Sequence, residues 1–129
     1  MPHVCIETRR GWIGERRAEV LDAVHSAVVE SLKIPPDDRV LRLIEHEPAN
    51  FPPPPASSEK FTVVEITMFA GRSLDAKRHL YAAIVRNLGR FGVPPNDVNV
   101  VLHEPPLENW GVRGGVPASE LNLGFQLQV

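Results

Sequence analysis

A single cysteine, Cys5, excludes an internal disulfide, and no apolar run approaches the ~18–20 residues that a membrane-spanning helix needs. No cationic segment followed by an apolar one opens the chain as a secretory leader would, so the expected compartment is the cytoplasm. Charge of one sign is also missing. Fourteen basic residues face sixteen acidic ones, for a net charge of −2 with no block of like charges, and a nucleic acid backbone finds no basic footprint. The five histidines show no metal-ligand spacing, so no metal is expected. With 43% apolar and 23% charged residues in 129, the chain is neither disordered nor collagen-like, and its length suits one domain spanning 1–129.

Proline is the one excess, with 13 residues against the usual ~5%. Its placement exposes a duplication. Ile34-Pro35-Pro36-Asp37-Asp38 and the apolar run after it return 59 residues later as Val93-Pro94-Pro95-Asn96-Asp97 and a similar run. Before each copy lies a helical stripe, Val20, Leu21, Val24, Ala27, Val28 and Leu32 in the first half and Leu80, Tyr81, Ile84, Val85 and Leu88 in the second. Before each stripe comes a strand-like segment, His3 to Thr8 and Phe61 to Phe69. The Pro-Pro pairs stop the helices and launch the next strands, because proline blocks helix continuation. Two β-α-β units, about 1–47 and 60–105, predict an α+β fold: a four-stranded sheet with both helices on one face. The Pro-rich stretch from Glu47 to Lys60 links the halves and favours extended polyproline geometry. A tail, 105–129, carries turn signals and a closing alternation, Leu123, Phe125, Leu127 and Val129, suited to adding a strand to a neighbour. Strands 3–8, 40–45 and 61–69 read as apolar on more than one side, which implies that the sheet's second face is covered in an oligomer.

Several residues carry candidate chemistry. Removal of an initiator methionine ahead of proline leaves Pro2 with a free secondary amine, and burial or a neighbouring cation makes such an amine a neutral base near pH 7. Arg72, in the turn Phe69-Ala70-Gly71-Arg72-Ser73, is either a fork for a carboxylate or an exposed loop arginine. Ser73 caps the second helix and Asp75 sits in its first turn. His25 replaces an apolar residue on the first helix and either bonds a backbone carbonyl or touches substrate. Asp38 and its counterpart Asp97 occupy the same turn, so at least one is a turn residue. Trp110 walls a pocket or anchors an interface.

The opening Met-Pro, the duplication, Val20-Leu21-Asp22-Ala23-Val24-His25, the Phe69–Ser73 turn followed by Lys77, the second Pro-Pro-Asn-Asp, and Glu108-Asn109-Trp110-Gly111-Val112-Arg113-Gly114-Gly115 together resemble the tautomerase superfamily. The likeness is to its longer branch, which includes malonate semialdehyde decarboxylase. It implies a homotrimer of β-α-β duplications, a catalytic amino-terminal proline at Pro2, a carboxylate-binding arginine at Arg72, and an acidic partner at Asp38. It further implies substrate contacts at His25, Trp110 and Phe69, a small carboxylate-bearing substrate, and no cofactor. Where the decarboxylase and dehalogenase branches carry a second arginine, this chain has Phe69 and Ala70. The implied activity is tautomerisation of a small keto acid or enol carboxylate with Pro2 as base. Decarboxylation or hydration of a 3-oxo acid, with Pro2 as acid, is the alternative. A non-catalytic, ferredoxin-like binding module uses the same duplication and is a third reading.

Overall fold

The computed structural model describes residues 2–122. Each half builds strand, helix, strand: β1 (His3–Arg9), α1 (Arg17–Leu32) and β2 (Val40–His46), then β3 (Thr62–Thr67), α2 (Leu74–Gly89) and β4 (Val98–His103). The four strands form one mixed sheet in the order β2-β1-β3-β4, parallel within each half and antiparallel where β1 meets β3. This is the α+β duplication that the sequence predicts.

The predicted stripes are what the helices bury. Val20, Val24, Ala27, Val28 and Leu32 of α1 and Leu80, Ile84 and Leu88 of α2 pack with Val4, Ile6, Val64, Ile66 and Met68 into one core. Asn87, also buried, donates from Nδ2 to the Ala23 carbonyl at 2.8 Å and so ties the two helices together. Ser73 caps α2 by accepting from the Ala76 amide at 3.1 Å, with Asp75 in the first turn. The helix exits differ between the halves. Lys33 closes α1 in the left-handed conformation at φ 56°, which costs a side chain roughly 1–2 kcal/mol, whereas the second half has Gly92 at the matching place with φ 81°. A Cβ on Gly92 would stand 2.7 Å from the Lys60 ammonium, a flexible side-chain end that can move aside, so it is the positive φ that calls for glycine here.

The second sheet face corrects one expectation. It is not the apolar surface that the strand composition suggested: His3, Cys5, Glu7, Arg42, His46, Glu65, Thr67, Asn99 and His103 stand on it, among Val40, Ile44, Val63 and Val101. Register explains the difference. Pairing of Val4 with Leu41 and Ile6 with Leu43 turns those side chains to the helices and leaves the charged residues between them outward. The Pro-rich link also departs from a wholly extended path, since Pro48–Asn50 form a 3-10 turn and Asp97 anchors the loop by accepting from both the amide and the hydroxyl of Ser58. In the tail, β5 (Gly111–Val112) and β6 (Val116–Pro117) pair as a small hairpin over a second cluster of Phe69, Trp110 and Ala118. The alternating run Leu123, Phe125, Leu127 and Val129 lies outside the described residues. Among the described residues no helix is long and apolar enough to cross a membrane.

Candidate active site

Pro2 is buried immediately before β1, and its carbonyl accepts the Val40 amide at 3.3 Å. That bond sets Pro2 beside the start of β2, two residues past Asp38. On the other side, His3 pairs with Thr67, the last residue of β3, so the turn that follows β3 returns to the same corner of the sheet. Three separated segments therefore meet here: the start of β1, the turn before β2, and the turn after β3.

Phe69 and Trp110 form the wall of this corner. Their rings meet edge to face at 4.9 Å, Trp110 also meets the His3 ring at 5.5 Å, and both large aromatics are buried. The Trp110 indole donates to the Pro105 carbonyl at 3.2 Å, which fixes its edge. His3 went unnoticed in the sequence, although its place next to Pro2 was the available signal. Burial first, and then the Arg42 guanidinium, lower its pKa from the ordinary 6.5, so its ring is neutral at pH 7.

Arg72 is not the exposed loop arginine of the alternative reading, because only 7% of it is accessible. Nη1 donates to the Phe69 carbonyl at 3.4 Å and Nη2 to the Leu32 carbonyl at 3.5 Å, both long bonds. Leu32 ends α1, whose last turn holds no basic residue, so the Arg72 charge complements that end of the helix dipole from a neighbouring turn. Burial lowers the guanidinium pKa, while the charges of Glu104 and Asp38 oppose the shift. Glu104 in turn accepts from the Lys77 ammonium at 2.7 Å. Asp38, Arg72, Glu104 and Lys77 thus compose a linked charge group, of which the sequence identified the first two. The repeat offered a hint of Glu104, since His103-Glu104 echoes His46-Glu47.

His25 takes the backbone role among its two readings. Its Nε2 lies 2.7 Å from the Pro36 carbonyl and donates to it, bracing the turn that leads to Asp38. Its Nδ1 is buried and has no hydrogen-bond partner among the described residues. Asp97, the repeat counterpart of Asp38, serves as the loop anchor described above.

These contacts give Arg72 a structural role. Arg72→Ala is expected to lower the unfolding free energy by about 1–3 kcal/mol, measured by urea denaturation, because two buried carbonyls lose a charged donor. A change within about 0.5 kcal/mol would return the residue to the role of a surface loop arginine.

Sequence profiles of the tautomerase enzyme family match residues 38–113 and residues 2–60. The 2-hydroxymuconate tautomerase of Comamonas testosteroni is 40% identical over 58 residues, which are 44% of this chain and 90% of that protein. Among solved structures, a malonate semialdehyde decarboxylase inhibited by 3-bromopropiolate is 28% identical with a TM-score of 0.75, covering 94% of this chain and 97% of that one. A fused 4-OT described as a symmetric trimer is 25% identical with a TM-score of 0.79, covering 91% of this chain and 96% of its counterpart. With one profile spanning more than half of the chain and the duplicated β-α-β fold in place, the chain belongs to the tautomerase family.

Proposed function

We propose that the chain is an amino-terminal-proline tautomerase acting on a small enol carboxylate or keto acid. The observation that carries this reading is the corner itself: a buried Pro2, tied through its carbonyl to β2, shares one end of the sheet with Arg72, Asp38 and an aromatic wall. With the initiator methionine removed, the prolyl nitrogen takes the hydroxyl proton of the enol. The electron pair of that O–H bond forms the carbonyl, the carbon–carbon double bond shifts, and the same nitrogen returns a proton to carbon. Arg72 holds the substrate carboxylate. Its bonds to backbone carbonyls hold the guanidinium in place before substrate binds, which limits the reorganisation needed. Phe69 and Trp110 exclude water from the reacting atoms, and His25 positions the Asp38 turn.

The decarboxylase reading is kept for one reason. Asp38 lies within electrostatic reach of the same corner, and a carboxylate close to Pro2 would keep the amine cationic and suit it to acid catalysis. Turnover of 2-hydroxymuconate, phenylenolpyruvate and malonate semialdehyde separates the two. Pro2→Ala is expected to lower kcat for the enol acids by about 100-fold or more, the range for removing a general base, with KM little changed. Turnover of malonate semialdehyde alone would favour the alternative, and an unaffected Pro2→Ala variant would remove Pro2 from the chemistry.

We propose further that the sheet face opposite the helices is covered in a homotrimer, the state named for the fused 4-OT neighbour. Ile44 and Val101 on that face are large and exposed in the single chain. Sedimentation equilibrium is expected to give about three times 14.3 kDa. A monomer at micromolar concentration would contradict the proposal.

A further inference from the structure

The duplication has placed a second set of parts at the opposite end of the sheet. There the end of β1 meets the start of β3, as the end of β3 meets the start of β1 in the proline corner. Sixty residues before Gly71-Arg72 stands Gly11-Trp12. The run His103-Glu104-Pro105, ending in Asn109-Trp110, has its counterpart in His46-Glu47-Pro48, ending in Asn50-Phe51, with two residues fewer. Each run follows its strand and passes through a 3-10 turn that closes on the asparagine.

At this end lies a cleft of about 250 Å³ lined by Arg9, Arg10, Gly11, Trp12, Pro48 and Glu59. Its wall is fixed. The Trp12 indole donates to the buried Thr8 hydroxyl at 3.0 Å, and the Lys60 ammonium lies 5.6 Å from the ring centroid. Arg9 donates from Nη2 to the Pro48 carbonyl at 3.2 Å, and its buried Nε has no hydrogen-bond partner among the described residues. Arg10 is paired with Glu47 at 2.8 Å. Arg9 and Glu59 make no ion pair among the described residues, so the cleft presents one uncompensated guanidinium, one uncompensated carboxylate and a flat apolar wall.

We propose that this cleft is a second, non-catalytic site for a small planar monocarboxylate that carries a hydroxyl group. The carboxylate meets Arg9, the planar body lies against Trp12, and the hydroxyl donates to Glu59. A dianion is disfavoured because Glu59 repels its second charge. The site does not depend on chemistry at Pro2, since the repeat supplies no proline at the start of β3.

The chain has two tryptophans, one in each corner, so the two indole N–H resonances of a nitrogen-15 labelled sample report the two sites separately. The probe is 4-hydroxybenzoate, with the Trp12→Phe variant assigning the peaks. The Trp12 resonance is expected to move along a saturating curve. It should do so equally in Pro2→Ala, and with an affinity reduced about tenfold or more in Arg9→Gln, as loss of a charge-assisted bond requires. The neutral 4-hydroxybenzyl alcohol, tested on the unaltered protein, should leave the resonance in place. A Trp12 resonance that does not move with 4-hydroxybenzoate, or that moves equally with the alcohol or in a folded Arg9→Gln variant, would overturn the proposal. Movement of the Trp110 resonance alone would overturn it too, while leaving the proline corner as a ligand site.

Discussion

The antiparallel pairing of β1 with β3 is the constraint on which the rest of the structure depends. With His3 opposite Thr67 and Thr8 opposite Thr62, the first residue of each repeat's opening strand lies beside the turn that leaves the other repeat's strand. A one-residue slip would turn Val4 and Ile6 out of the core and expose them, so burial on the helix side locks the register. That register then brings Pro2 to the end of the sheet from which the turn bearing Phe69 and Arg72 departs. Parallel pairing of β1 with β2 adds the third segment by carrying Val40, and Asp38 before it, to the same place.

Electrostatics at the corner follow from burial more than from the number of charges. Arg72 has lost most of its water, and the two carbonyls that accept from it do so at long range. The cation is compensated by the carbonyl end of α1 and by the charges of Asp38 and Glu104, the latter also held by Lys77. Such a group costs stability to assemble and is worth keeping where a charge must stand ready in a dry place. Cys5 of β1 sits on the sheet face opposite the helices, where burial and then Glu7 raise its pKa and keep it a thiol.

Much of this was legible in the sequence, because the duplication states itself twice and each helix writes its buried stripe at the right spacing. The Ser73 cap and the strand-helix-strand order follow from local chemistry alone. What stayed hidden depends on pairing between distant segments. The sorting of charged and apolar residues between the two sheet faces needs the register. The burial of Arg72 needs the end of α1, which lies 40 residues away in the chain. His25 illustrates the middle ground: its place on the helix marked it as unusual, yet only the folded turn reveals that Pro36 takes its Nε2 proton. The resemblance to the tautomerase superfamily pointed to the corner residues, and the fold shows which backbone groups Arg72 and His25 bond.

The central claim is that Pro2 is a neutral base at pH 7. In the proposed site the buried Arg72 cation and the Phe69–Trp110 wall would disfavour a second positive charge, against the opposing pull of the Asp38 carboxylate. A pH titration of the nitrogen-15 resonance of Pro2, in the parent and in Asp38→Asn, tests this directly. The account predicts a pKa near 7 or below in both proteins, under the ~8 of an ordinary α-amino group. A parent value above about 8 that falls on substitution of Asp38 would contradict it and make Pro2 an acid.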